Sequence, residues 1–304
     1  MKKIYQSIKD KSSNHLSKKE NRMGWLFVSI STAIITLFVF VPMIQAFLTS
    51  LQSGFSNNMH FVGFDNYTRL LHDSTFIKAA TNTVLYLIIQ VPIMILLSLV
   101  ISVALNDKKL KGKGFFRTAI FLPCITSLVA YSIIMKGMFS ADGIINQFLM
   151  GIHLIDDPIM WLTDPFWAKV LIIIAITWRW TGYNMIFYLS GLQNIDPSIY
   201  EAADIDGASA FTKFFKITVP MLKPIILFTT ITSTIGTLQL FDEVVNITGG
   251  GPANATITLS QYIYNLSFKY SPNFGYAAAV SFVIVIAIVI LSIIQMKVGG
   301  DKND

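Results

Sequence analysis

The chain has 304 residues, 53% of them hydrophobic and only 13% charged. Soluble domains carry about 25% charged residues, so an ordinary soluble fold is excluded and a membrane protein is expected. The net charge of +6 would also suit a nucleic-acid partner, but the placement of the charges described below assigns it to membrane topology instead.

A helix needs about 20 mostly apolar residues to cross the hydrocarbon core, at about 1.5 Å of rise each. Six segments meet this requirement. The first, residues 25–48, is longer than the roughly 7–15 apolar residues of a signal peptide and has no small-residue cleavage site behind it, so it is expected to stay as a span. The second, 83–105, is uninterrupted. The third, 119–139, contains Cys124, expected to be a small buried hydrophobe, and Lys136, expected to snorkel. The fourth, 167–189, contains Arg179. The fifth, 225–245, is rich in Thr and Ser, and the sixth, 277–296, is as plain as the first two. Pro42, Pro92 and Pro123 fall within spans and are expected to mark kinks. Polar groups inside a bilayer must face protein or water, so spans three to five are expected to line a path.

Lys and Arg set the orientation. Lys2, Lys3, Lys9, Lys11, Lys18, Lys19 and Arg22 precede the first span. Lys108, Lys109, Lys111, Lys113 and Arg117 follow the second, Lys213, Lys216 and Lys223 follow the fourth, and Lys297 and Lys302 follow the sixth. The alternate loops hold only Arg69, Lys78 and Lys269. Loops rich in Lys and Arg stay in the cytoplasm. The expected fold is therefore an all-α integral membrane protein of six transmembrane helices with both termini cytoplasmic. A basic tail (1–23) precedes the transmembrane domain (24–298), and a short tail (299–304) follows it. No nucleic-acid partner is expected.

The loop between spans four and five, 190–224, is the most informative stretch. Asp196-Pro197 reads as a helix N-cap with proline at the first position, and Ser198-x-x-Glu201 competes with it as a capping box. Either starts a helix at about 197–199. Gly207 supplies a turn or C-cap. A second helix is expected over about 208–217, with Pro220 and Pro224 leading into span five. A capped helix-turn-helix at a membrane face suits docking into a groove on a partner.

The spacing Glu201-Ala202-Ala203, three residues, Gly207, nine residues, then Ile217-x-Val219-Pro220 resembles the EAA loop of ABC importer permeases, with Val219 where Leu is usual. Phe61-Val-Gly-Phe-Asp-Asn-Tyr67, Leu122-Pro123, Leu192-Gln193, Tyr200 and Thr248-Gly-Gly-Gly-Pro252 further resemble the maltose-type carbohydrate branch. The likeness covers about 24–298. It implies a permease subunit in a bacterial cell membrane, one half of a path for sugar. The EAA helix would dock in a cleft of one of two separate ATPase subunits, on the cytoplasmic side, through Glu201, Ala202, Ala203, Asp206, Gly207, Ala208, Phe211, Ile217 and Pro220. An extracellular solute-binding protein and a second permease subunit, in a heterodimer, complete the expected assembly. ATP and Mg would be used by the partner chains and no cofactor by this one, which has no phosphate-binding G-x-x-x-x-G-K-[ST] loop.

Candidate path residues come from spans four and five. Trp180 and Asn184 are four apart and share a helix face with Thr181 near them. Thr230, Ser233, Thr234 and Thr237 recur at helical spacing with Phe241 one turn on, either lining a cavity or gluing helices together. Arg179 needs a solute, a partner such as Asp242 or Glu243, or a route to the interface. The resemblance implies that the middle parts of spans three to five line the sugar site. Gly249–Pro252 reads as a flexible outer loop, and the loop with Asp142, Asp156, Asp157 and Asp164 as an acidic face for docking or solvent. No metal site or catalytic residue is expected: the four histidines lie outside the spans, spread over the N-terminal tail and two loops, and the lone cysteine has no cluster around it. The solute expected is an oligosaccharide; a sugar phosphate such as glycerol-3-phosphate is the alternative, and a stand-alone secondary transporter, which should show internal repeats, fits less well.

Overall fold

The computed structural model describes residues 20–54, 59–107 and 109–300. Residues 1–19 of the basic tail, Lys108 and the end of the C-terminal tail with Lys302 lie outside them. Helix α1 runs Glu20–Ser50. Pro42 has no N–H to give, and the helix widens just ahead of it into a π turn over Thr36–Phe40, in which the Val41 N–H reaches back to the Thr36 carbonyl. Nearly all of α1 is exposed. It is fastened only at its last turns, where Phe47 meets Phe282 at 5.2 Å.

Two short antiparallel strands, β1 (Gln52–Ser53) and β2 (His60–Phe61), follow. Helix α2 (Asp65–Leu70) buries Asn66, whose amide donates to the carbonyls of Ser50 and Gln52 at 2.8 Å each. Helix α3 (Ser74–Asn106) runs through Pro92 without a break. It packs against α7 (Pro165–Gln193) at the centre of the molecule.

The third predicted span is not one helix. Helix α4 (Lys113–Ile125) and helix α5 (Leu128–Met138) meet at 105°. The turn is at Thr126 and Ser127, both extended, rather than at Pro123. Such short hydroxyl side chains compete with helical backbone bonding, and the Thr126 hydroxyl donates to the Leu122 carbonyl at 2.7 Å. Helix α6 (Ile144–Gly151) follows. Gly182 on α7 lies against the Ile120 backbone of α4, where no side chain would fit.

The two loop helices are α8 (Pro197–Ile205) and α9 (Ala210–Met221), the latter with a π turn over Phe214–Thr218. Helix α9 turns by 72° into α10 (Lys223–Leu238). The fifth predicted span, 225–245, ends early: after a break at residues 239–241 the chain resumes as α11 (Asp242–Ile247). The Leu240 carbonyl freed by the break accepts from the Thr258 hydroxyl at 2.7 Å, so it is not left bare at membrane depth. Helix α12 (Leu259–Tyr264) and helix α13 (Phe274–Gly299) complete the chain. Helices α1, α3, α7 and α13 are each long and apolar enough to cross a membrane, and the bent pairs α4–α5 and α9–α10 bring the number to six.

At the end bearing the acidic loops, Asp73 joins three elements. Its Oδ1 caps α3 through the N–H groups of Thr75 and Phe76, and its Oδ2 accepts from the hydroxyls of Tyr262 at 2.5 Å and Tyr276 at 2.6 Å. Burial pushes the carboxyl up, but these hydrogen bonds outweigh it and hold it below the usual carboxylate range. The stabilisation is thus complete at neutral pH and is lost only in acid, as the pH falls through the lowered value. Asp73→Asn should lower the melting temperature in detergent by a few degrees at pH 7. The wild type should hold a constant value from pH 5 to 8 in the same thermal scan. Asp164, one of the acidic-loop residues, is likewise a cap: it accepts from the N–H groups of Phe166 and Trp167 and so starts α7.

The Gly249–Pro252 loop is held by hydrogen bonds and differs in this from the expectation of a flexible loop. Thr248 and Thr256 share a hydroxyl bond of 2.7 Å, Thr256 donates to the Gly251 carbonyl at 2.9 Å, and Lys78 Nζ donates to the Ala253 carbonyl at 2.7 Å.

Candidate functional site

The elbow at the basic end is built by its caps. Asp196 accepts from the Ser198 N–H at 2.9 Å and starts α8, so this register wins over the Ser198–Glu201 capping box. That hydrogen bond holds the Asp196 carboxyl below its usual range. At the other end Ala208 N–H bonds the Ala203 carbonyl and Gly207 N–H bonds the Asp204 carbonyl, a Schellman stop that needs the left-handed φ of +71° at Gly207. Ser209 caps α9 through the Thr212 N–H. Tyr200 and Thr218 share a hydroxyl bond of 3.0 Å, and Lys213 pairs with Asp204, which fixes the two helices to each other.

The inner face of the elbow rests on the body. Tyr200 and Phe214 pack on buried Leu99, Tyr188, Leu192 and Leu222. Its outer face is open: Glu201, Ala202, Asp206 and Pro220 are exposed, as are Ile205 at 87% and Phe211 at 73%. Large apolar side chains are thus left bare at the end of a short amphipathic unit. Ala203 is buried, while Ala208 and Ile217 are half-buried, so these three shape the elbow from behind.

The candidate path residues fall into two environments. Asn184, Thr181, Ser233 and Thr237 are buried among α3, α7 and α10. Thr237 donates to Gln90 Oε1 at 3.0 Å, the Asn184 amide donates to the Trp180 carbonyl at 3.0 Å, and Thr234 accepts from Gln295 of α13 at 2.7 Å. In this conformation the hydroxyl stripe joins helices. Trp180 and Phe241 are half-buried instead and keep an open edge. Asn184 and Trp180, four residues apart, thus meet different surroundings.

Arg179 pairs with Glu243 rather than Asp242: Nη1 to Oε1 is 2.8 Å, with side-chain exposures of 16% and 5%. Its guanidinium also lies 5.6 Å from the centre of the Trp180 ring, within cation–π range. The pair ties the middle of α7 to the first turn of α11, just beyond the break in span five.

Residues 71–298 match the family of binding-protein-dependent transport system inner membrane components. The chain belongs to that family. It is a permease subunit of the ABC importer type, a multi-pass membrane protein and not an enzyme. The permease is 57% identical over 294 residues to the lactose transport system permease protein LacF of Rhizobium radiobacter, covering 96% of this chain and 99% of that one. It is 36% identical to the arabinooligosaccharides transport system permease protein AraP of Halalkalibacterium halodurans, covering 90% of this chain and 87% of that one. Among solved structures it resembles a chain of a bacterial ABC transporter for the acidic polysaccharide alginate, with a TM-score of 0.78 at 24% identity, over 94% of this chain and 99% of the other. A second alginate transporter structure, in complex with a periplasmic protein holding an alginate pentasaccharide, matches with a TM-score of 0.77 at 25% identity over 93% and 96%.

The permease also carries a face that sequence reasoning missed. Phe228 and Thr232 lie on one side of α10, with Gln239 just past its end, all at least partly open, and that side meets α7: Phe228 contacts Phe187 at 5.7 Å, and Gly236 sits beneath the Trp180 indole. Tyr183 stands between Trp180 and Phe187. The spacing of Trp180, Tyr183 and Phe187 was a usable signal. The choice among the hydroxyls of α10 was not, because Thr or Ser occupies nearly every side of that helix.

Proposed function

We propose that this permease forms half of the translocation path of an ATP-driven sugar importer, with oligosaccharides, disaccharides first among them, as solute. The identity to a lactose permease and the oligosaccharide solutes named for other relatives support that class. One of two ATPase subunits receives the elbow at Glu201, Asp206, Gly207 and Phe211, a second permease subunit closes the path, and an external binding protein delivers the sugar. The basic end faces the cytoplasm, and both termini lie there. Trp180 and Phe241, with their open edges, are the sugar-facing members of the predicted set. Asn184, Thr181, Ser233 and Thr237 stand directly behind them, and Arg179 holds the Trp180 side of the site through its pair with Glu243.

The observation that carries the reading is the capped, rigid elbow with its bare outer face. A solitary carrier has no use for it. The test is purification of the tagged permease from its native membrane. ATPase subunits should co-elute, and reconstituted vesicles should take up sugar only with ATP inside and binding protein outside. Uptake by the chain alone, without nucleotide, would refute the proposal.

A further inference from the structure

Trp180, Tyr183 and Phe187 stand at i, i+3 and i+7 on one face of α7 and cover about 10 Å of its length. Each ring meets the next edge to face: Trp180 and Tyr183 at 5.6 Å and 85°, Tyr183 and Phe187 at 5.1 Å and 63°. Phe228 of α10 extends the row at 5.7 Å and is 51% exposed. This differs from the enclosed aromatic pair elsewhere, where Phe139 and Trp161 are buried to 5% and 6%. The next residue on the same face, Ser190, opens onto a cavity of about 340 Å³ whose wall is polar at Arg117, Thr118 and Gln193 and apolar at Phe121, Met185, Ile186 and Leu189. The Nε of Arg117 is buried there without a hydrogen-bond partner.

The rim identifies the occupant. A face meant for lipid tails would be apolar throughout. This one has an aromatic floor flanked by the half-open Thr232 of α10 and the exposed Gln239 just past its end, and it closes in a mixed cavity where a guanidinium, two hydroxyls and an amide stand beside apolar side chains. A sugar ring has the matching character, with C–H faces that rest on aromatic rings and hydroxyl edges that bond to polar side chains. We infer that Trp180, Tyr183, Phe187 and Phe228 form a stacking track along which sugar rings descend from mid-membrane to the basic end, where Arg117 makes the last polar contact before release. The inference rests on the sugar-importer reading above and adds the release half of the path to it.

The test uses the complete transporter reconstituted with its ATPase, second permease and binding protein, and a panel of labelled lactose, raffinose and arabinotriose. Wild-type uptake of at least one of them comes first; if none is taken up, the sugar reading itself falls and the track with it. Phe187→Ala and Phe228→Ala should each lower the maximal uptake rate about fivefold to tenfold, with unchanged half-saturation concentration and unchanged recovery of both partner subunits. Phe187→Trp should retain the rate. Wild-type rates in both alanine variants would overturn the track. Loss of the second permease subunit from either variant would also overturn it, by making the row a subunit interface.

Discussion

Gly207→Val should reduce ATP-driven sugar uptake at least tenfold while leaving the permease in the membrane at normal abundance. The Schellman stop places residue 207 at a φ of +71°, and its side is open to solvent, so the penalty is conformational and not a clash. A residue with a β-carbon costs about 1–2 kcal/mol in that region, and a branched one more. The cheapest relief is to unwind the end of α8, which moves Ile205 and Glu201 away from the start of α9. An elbow populated in its docking geometry only a tenth of the time binds its partner about tenfold more weakly. Co-purification of the ATPase subunits, measured beside uptake, checks this. Gly207→Asn, which tolerates the left-handed region, should retain most of both. If valine and asparagine behave alike, backbone geometry at 207 does not govern coupling.

Arg179→Ala should destabilise the permease far more than removal of both members of its ion pair. The single change leaves Glu243 with 5% of its side chain exposed and no counter-charge. Breaking such a pair on one side costs about 3–5 kcal/mol, whereas apolar replacement of both members is often neutral. The double variant Arg179→Met with Glu243→Leu should therefore melt near the wild type in a fluorescence-detected size-exclusion assay, and Arg179→Ala well below it. Additive losses in the double variant would show that the two charges do not depend on each other.

Much of this was legible in the residues. Each of the six apolar stretches overlaps a helix or bent helix pair long enough to cross a membrane, because lipid imposes a length on such segments. The elbow could be read because caps are local: Asp196-Pro197 and Gly207 act within a few residues of themselves. The breaks at residues 126–127 and 239–241 were not legible, because they depend on partners remote in sequence. The Leu240 carbonyl is satisfied by Thr258, and nothing near residue 240 announces that. The same limit applied to the path. Helical spacing groups Ser233 with Thr237, but only the packing of Gln90 and Gln295 reveals that Thr237 and Thr234 are bonded to neighbouring helices, whereas the Thr232 hydroxyl bonds only carbonyls of its own helix.

The right-angled join between α4 and α5 has a bearing on how such a protein could be worked from one end. A helix of 13 residues reaches about 20 Å, roughly two-thirds of the way through a 30 Å hydrocarbon layer. On that length α4 alone does not cross the layer, and the chain turns by 105° into α5, whose Tyr131 and Met135 are set in the same buried cluster as Val244 of α11. A tug delivered at the foot of α4 arrives at that crosspiece as a lateral swing, like a crank turning on its shaft, and the far mouth can be shifted without drawing a whole rod through the oil.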